Sequence, residues 1–510
     1  MNKQFNRRDF IKAGAIAIPT LATISACSGP VEQNNIIKFG VTSRPRILDP
    51  RKATDALSSR VNRLIYHQLV DFDTAFKAIP SLASWQQLSP THYRFKLLHQ
   101  PKFHHGKTLS SEDVVATYES ILDTDFGSPH RGSLKNITKV VAINQQEIDF
   151  HLAKVDVLFT GRLVIGILPK DLIKQGYSFA QNPVGSGDCQ LVSNSEQKLV
   201  LLREDGVQLH FIPVKDTNVR VLKLIKGELD IIQNDLSPEL LSYCKQQKGQ
   251  LKVMSHPGTS FGYIGFNFED PLLARLEMRE ALAYGIDRQQ IIENLFANRA
   301  RLAGGLLVPE HWAGAPELSG FEFNREKAQQ RIAQLKKISG LVDNYLNSDG
   351  EIELSYKTSS DPTRIRLATV YQSQLKKIGV HLNIQSYDWG TFYNDIKQGR
   401  FQLFSLAWVG VKSPDIFQYV FHSEAIPPKG ANRGRYRDPI ADELIAKAGQ
   451  AQSLTEQATL YNQLQTRLQE NLANIPLWYE DQYAVMRENI HGYQLYTDGR
   501  LDGLLQVQKS

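Results

Sequence analysis

Residues 350 to 408, GEIELSYKTSSDPTRIRLATVYQSQLKKIGVHLNIQSYDWGTFYNDIKQGRFQLFSLAW, decide the fold class. Ile352 to Tyr356 reads as a strand, Pro362 to Ile378 as a helix and Val380 to Tyr387 as a second strand. Thr391 to Gln398 then reads as a helix, and Phe401 to Trp408 as a third strand. Gly379 and Gly399 stand where left-handed helix stops are expected. Helices that alternate with strands carry the chain back over one sheet face, so the strands pair in parallel in an α/β lobe. Ligands of such lobes bind outside the carboxyl ends of the strands. The end of the strand at Trp408 is therefore a place to look for a site.

Outward from this stretch, a helix over Gln457 to Leu472 precedes the apolar run Ile475-Pro476-Leu477-Trp478-Tyr479, which reads as a return strand. Upstream, between Ala78 and Lys170, the strands are short: Tyr93 to Leu97 and Gln146 to Leu152. One strong helix separates them. Ser110 and Asp113 form its capping box, and Val114, Val115, Tyr118, Ile121 and Leu122 its buried side. This region reads as a small α+β insertion. Nearer the start, Ile36 to Val41 makes a first strand, and Val61, Leu64, Ile65, Gln68 and Leu69 share the buried face of a helix.

The first thirty residues are an address and an anchor. Arg7-Arg8-Asp9-Phe10-Ile11-Lys12 precedes an uncharged segment, Ala13 to Ala26. At ~1.5 Å per residue that segment reaches about 21 Å, too short for a ~30 Å hydrocarbon core, so it fits a signal peptide and not a membrane span. It resembles a twin-arginine export signal. Ile24-Ser25-Ala26-Cys27 resembles a bacterial lipobox, which makes Cys27 the lipidated first residue of the mature chain. Ser28 to Asn35 follows as a polar tether.

Removing residues 1 to 26 takes away Lys3, Arg7, Arg8 and Lys12 against Asp9, so the formal charge falls from +6 to +3. A nearly neutral chain without a long basic run argues against a nucleic-acid partner. A mature chain of about 480 residues exceeds one core and implies two or three domains. Beyond Cys27 only Cys189 and Cys244 remain, which allows one bridge but no disulfide framework. No His-Glu-x-x-His and no complete Gly-x-x-x-x-Gly-Lys-Ser/Thr loop is present. Gly185-Ser186-Gly187 lacks the wider glycine frame of a nucleophile elbow. His99, His104 and His105 come nearest to a metal cluster but have no Cys or carboxylate at ligand spacing. Nothing here supports an enzyme, a metal or a cofactor.

Several collinear segments resemble the family 5 bacterial extracellular solute-binding proteins, the peptide, dipeptide and nickel class served by ABC importers. They include Leu48-Asp49-Pro50, Phe103-His104-His105-Gly106-Lys107-Thr108-Leu109, Asn182-Pro183-Val184-Gly185-Ser186-Gly187, Gly227-Glu228-Leu229-Asp230, Phe266-Asn267 and Arg279 to Arg288. The resemblance implies an α/β, two-lobed periplasmic-binding-protein type II fold with an additional α+β domain in the first lobe. Along this chain, residues 36–75, 170–262 and 480–510 would form lobe I, 76–169 the inserted domain and 263–479 lobe II. The hinge would pass near Phe266-Asn267 outward and near Trp478-Tyr479 on the return.

Trp389 and Trp408 match aromatics that line the ligand cavity in peptide-binding members; Tyr263, Trp478 and Tyr479 are further candidates. Two departures stand out. Asp188-Cys189 replaces the usual Pro-Tyr after Pro-Val-Gly-Ser-Gly. Val411 occupies the position, three residues after Trp408, where peptide-binding relatives carry an Asp for the ligand's α-amino group. Asp388 and Asp415 are the acids left to meet a ligand amine. The resemblance thus implies a monomeric, lipid-anchored, non-enzymatic receptor in the periplasmic envelope. Its partners would be a peptide or peptide-like solute and an ABC permease and ATPase. A metal chelate or non-peptide organic solute, a sensor without transport and an envelope hydrolase are the alternatives.

Overall fold

The computed structural model describes residues 35–510. The paired arginines, Cys27 and the tether through residue 34 lie outside the described residues.

In chain order the strands are β1 (Ile36–Val41), β2 (Val70–Phe72), β3 (Ala78–Pro80), β4 (Ala83–Ser89), β5 (His92–Leu97), β6 (Ile137–Ala142) and β7 (Glu147–Leu152). Then follow β8 (Cys189–Asn194), β9 (Leu199–Arg203), β10 (Gln208–Pro213), β11 (Ile231–Gln233), β12 (Leu251–Phe266) and β13 (Ala300–Leu302). The last of the main strands are β14 (Ile352–Ser359), β15 (Val380–Tyr387), β16 (Leu403–Trp408) and β17 (Ile475–Arg487). One large sheet runs β15-β14-β16-β12-β17-β11-β1-β10-β9-β8, with β13 beside β17. A separate four-stranded sheet, β4-β5-β7-β6, carries the small α+β domain.

As the alternating pattern requires, β14 pairs in parallel with both β15 and β16. The connecting helix Pro362–Lys376 starts at Asp361, whose carboxylate accepts from two first-turn N–H groups, with Pro362 in the first turn. The next helix, Trp389–Gln398, starts on Asp388 and ends at Gly399, where φ is +78°. In the small domain the capping box of Ser110 and Asp113 is present.

Two long antiparallel strands, β12 and β17, tie the halves together, and their register breaks between His256 and Ser260. On one side of that break Leu251, Ala484, Val485 and Met486 enter the cores built on β1 and β10. On the other side Phe261, Ile264, Leu477 and Tyr479 enter the cores built on β14 to β16. The molecule is therefore two α/β lobes joined by a pair of crossing strands, with the small domain on the first lobe.

One local expectation changes, and the open question of a bridge is answered. The helix expected to reach Leu69 is Ala56–Ile65 and stops there. The Ile65 carbonyl is taken by the N–H of Gly187 at 2.8 Å, an approach only a glycine permits, because a Cβ would strike the Ile65 backbone. Leu69 is buried in the small domain's core instead. Cys189 and Cys244 are free thiols in different cores, so no bridge joins them. Burial pushes their pKa values up, to about 12 and about 11. Among the described residues no helix is long and apolar enough to cross a membrane.

Candidate functional site

A cavity of about 450 Å³ lies where the first lobe, the small domain and the second lobe meet. Its size is that of a small-molecule site. The helix Ala56–Ile65 delivers Asn62 and Arg63 to it, and Tyr66 follows at the helix end. The segment after β7 brings Arg162, and the second lobe brings Trp312, Lys412 and Asp415. Phe72 and Phe76 complete an aromatic wall.

Apart from the exposed Lys77, every Arg, Lys and Asp of this wall is paired with an opposite charge. Arg63 lies 2.6 Å from Asp502 and 3.0 Å from Asp71. Burial would lower its pKa, yet the two carboxylates raise it. Arg162 bonds Asp156 at 2.8 Å and Asp415 at 2.6 Å. Lys412 meets Asp498 at 2.7 Å. Burial alone would raise the pKa of Asp498, but Lys412 and Arg500 hold it at about 2. The Arg162–Asp415 and Lys412–Asp498 pairs each join the second lobe to the first-lobe side. His311 adds a third tie: its ring stacks on Phe76 at 5.4 Å, and its Nε2 donates to the Lys412 carbonyl at 3.1 Å.

Of the ligand-binding candidates named from sequence, only Asp415 lines this cavity. Val411 packs at the edge of the second lobe's core, one residue before Lys412. Trp389, Trp408 and Tyr263 gather elsewhere, around Arg433. Its guanidinium lies 4.7 Å over the Trp408 ring and donates to the hydroxyls of Tyr263 and Tyr393, each at 3.2 Å. Trp389 stacks on Tyr393 at 5.5 Å and is 59% exposed. Among the described residues Arg433 has no carboxylate partner. Nothing in the run Ala431-Asn432-Arg433-Gly434-Arg435 marks it in advance, because its neighbours come from strands and helices far away in sequence.

Asp388 accepts from the N–H groups of Gly390 and Thr391 as a helix cap, and the Thr391 hydroxyl, the first cause, and these N–H groups lower its pKa. Trp478 is 1% exposed and packs on Phe296. Tyr479 donates to the carbonyls of Gly305 and Leu307 at 2.6 and 2.7 Å. Both are core residues here.

The histidines considered as metal ligands are dispersed: His104 bonds the backbone of Gly185 and Gly187, and His105 lies 3.4 Å from Asp171. A different group, His92, Asp149 and His151, is close enough to share an ion. Arg94 already holds the Asp149 carboxylate through two bonds of 2.7 and 2.9 Å, so that acid is committed to a guanidinium.

The family model for bacterial extracellular solute-binding proteins, family 5 Middle, matches residues 77–426. The oligopeptide-binding protein AppA of Bacillus subtilis (strain 168) is 26% identical over 516 residues, covering 93% of this chain and 94% of that protein. Probable di/tripeptide-binding protein 5 of Pseudomonas aeruginosa (strain UCBPP-PA14) is 27% identical, covering 94% of each. The crystal structure of the ABC transporter substrate binding protein CtaP from Listeria monocytogenes superposes with a TM-score of 0.82 at 22% identity, covering 93% of this chain and 99% of that one. The chain belongs to the family 5 bacterial extracellular solute-binding proteins.

Proposed function

We propose that this protein is the receptor of an ABC importer, holding a small peptide or peptide-like solute between its two lobes and presenting it to a permease. The observation that carries this reading is the cavity of about 450 Å³ walled by both lobes and the small domain, with ion pairs that join the lobes beside it. Such pairs form only when the lobes approach, so they bias a hinge equilibrium toward the closed form. In this reading the hinge passes through His256–Ser260 and Glu480–Gln482, where β12 and β17 lose register and change cores. The relatives named for peptide binding support the solute class. A lipid anchor at Cys27 would keep the receptor beside its importer, and binding without turnover is the expected chemistry.

Native mass spectrometry of gently purified protein tests this directly. A co-purified or added short peptide bound one to one, with contraction of the particle in solution scattering, is the expected result. Catalytic turnover of the solute that survives purification and is lost with one named nucleophile would replace the reading with an enzyme.

A further inference from the structure

Arg433 is a half-buried cation with no carboxylate beside it among the described residues. Its guanidinium makes two hydrogen bonds, to the hydroxyls of Tyr263 and Tyr393, and lies over the Trp408 ring. Its Nε has no acceptor in the protein and keeps contact with solvent. Arginines that serve the second lobe's framework without a carboxylate are saturated instead. Arg279 and Arg288 each make four bonds to backbone carbonyls. Two residues beyond Arg433, Arg435 has Glu269 at 3.1 Å. The acids of the surrounding elements are committed as well, Asp388 to its helix cap and Asp395 to Lys357 and Arg400. A guanidinium drawn partly out of water and given only phenol oxygens is costly, so the arrangement makes sense where an anion completes it.

The position is that of a ligand site. Trp408 closes β16, Tyr387 closes β15 and Trp389 opens the next helix, so the aromatic box stands at the carboxyl ends of parallel-sheet strands. This edge faces the first lobe, because Lys412 and Asp415, just beyond Trp408, are tied to Asp498 and Arg162. From Trp408 to Lys412 on the cavity wall the chain reaches at most about 14 Å, a span that roughly four extended peptide residues cover. The rim of the box carries Trp389, Val409 and Tyr419, all exposed, and Tyr419 sets its edge against Trp408 at 6.4 Å. Lys397, also exposed and without a carboxylate among the described residues, stands 5.4 Å from the centre of the Tyr393 ring. Two free cations among aromatic faces, with every neighbouring acid committed, favour an anionic group and repel an ammonium.

We infer that Arg433 holds a carboxylate of the solute, from an acidic side chain or from the chain end, so that the receptor selects acidic peptides. The unbonded N–H groups of the guanidinium form a planar fork that matches the two oxygens of a carboxylate. Trp408, Tyr263 and Tyr393 hold that fork in place before the solute arrives, which keeps the ordering cost of binding low. This inference rests on the peptide-receptor reading above.

The test offers the full-length protein a library of tetrapeptides in four matched forms: with Asp or Glu, or with Asn or Gln in their place, and each with a free or an amidated carboxyl end. Native mass spectrometry reads the capture, and calorimetry follows on captured members. Peptides that bear a carboxylate should be captured at least tenfold over the acid-free amides. Preference kept by the amidated Asp and Glu members assigns the group to a side chain, and preference lost on amidation assigns it to the chain end; both uphold the inference. Arg433→Gln should weaken the acid-bearing members by about 10- to 100-fold and move the acid-free amides by less than about twofold. Arg433→Lys, which keeps the charge and loses the fork, should fall between the two, and it decides the matter with the parent's own selectivity if the glutamine variant does not fold. Capture of acid-free amides as strong as that of their acid-bearing counterparts, or a selectivity unchanged in folded Arg433 variants, overturns the inference and leaves the receptor reading standing. No capture of any member sinks the peptide reading itself and the inference with it.

Discussion

Arg162 of the first-lobe side and Asp415 of the second lobe, 253 residues apart in the chain, meet at 2.6 Å in the wall of the cavity. Arg162 is also held by Asp156, so its guanidinium is fixed before Asp415 arrives. Asp415→Asn should therefore weaken solute binding about two- to fivefold, the scale of a partly exposed pair, and the loss should shrink at high salt. Calorimetry at low and high salt, with melting curves of the unliganded protein, checks this. An unchanged affinity with a destabilised unliganded protein would make the pair a static strut.

The tryptophans should separate by position. Trp478→Ala removes a side chain that is 1% exposed and should cost ~3 to 5 kcal/mol of folding free energy. Trp389→Ala, at an exposed site, should stay within about 0.5 kcal/mol. Trp408→Ala removes the ring under Arg433 and should lie between them. Denaturant titrations measure all three; a Trp389→Ala loss as large as that of Trp478→Ala would contradict the placement.

Acid should loosen the molecule through His311. Burial, the first cause, lowers its pKa to about 4 despite the Lys412 carbonyl, while an unfolded chain titrates near 6.5. Between these values the unfolded state binds a proton that the folded state refuses. Stability present above about pH 6.5 is therefore lost as pH falls toward 4, on the order of 3 kcal/mol. His311→Gln should flatten this fall. Some slope should persist, because burial and the cations Lys198 and Lys38 lower His210 in the same direction, also to about 4. Melting temperatures across pH 4 to 7 decide it, and an equally steep fall in the variant would clear His311 of the role.

On the proposed anchor reading, Cys27→Ser should release the protein from the membrane fraction, because that reading gives the chain one attachment point. One acyl chain binds only marginally, so full retention of the parent implies the several chains of a bacterial lipoprotein. Fractionation of the variant together with the parent would end the anchor assignment.

Val411→Asp should restore a carboxylate where peptide-binding relatives are expected to carry one. Val411 packs against the second lobe's core and lies outside the cavity lining, so affinity for free-amine peptides should change by less than about twofold. A tenfold gain for free-amine peptides, with blocked ones unaffected, would move the solute's amine to this strand end.

The sequence by itself determined the elements and the class. Periodicity and capping placed β14, β15, β16 and their helices within a few residues, since these signals act over one or two turns: Asp361, Asp388 and Gly399 do locally what their types dictate. The collinear motifs gave the family. What only tertiary structure decided is which residues face one another. The cavity joins Asn62, Arg162 and Asp415 from three distant segments, and local patterns carry no information about such meetings. Asn62 lies on an ordinary amphipathic helix, and its unpaired amide appears only once that helix packs. The same holds for the tryptophans: Trp478 and Trp389 read alike in a strand and at a helix start, and burial alone, set by what the fold lays over them, makes one a core residue and leaves the other exposed.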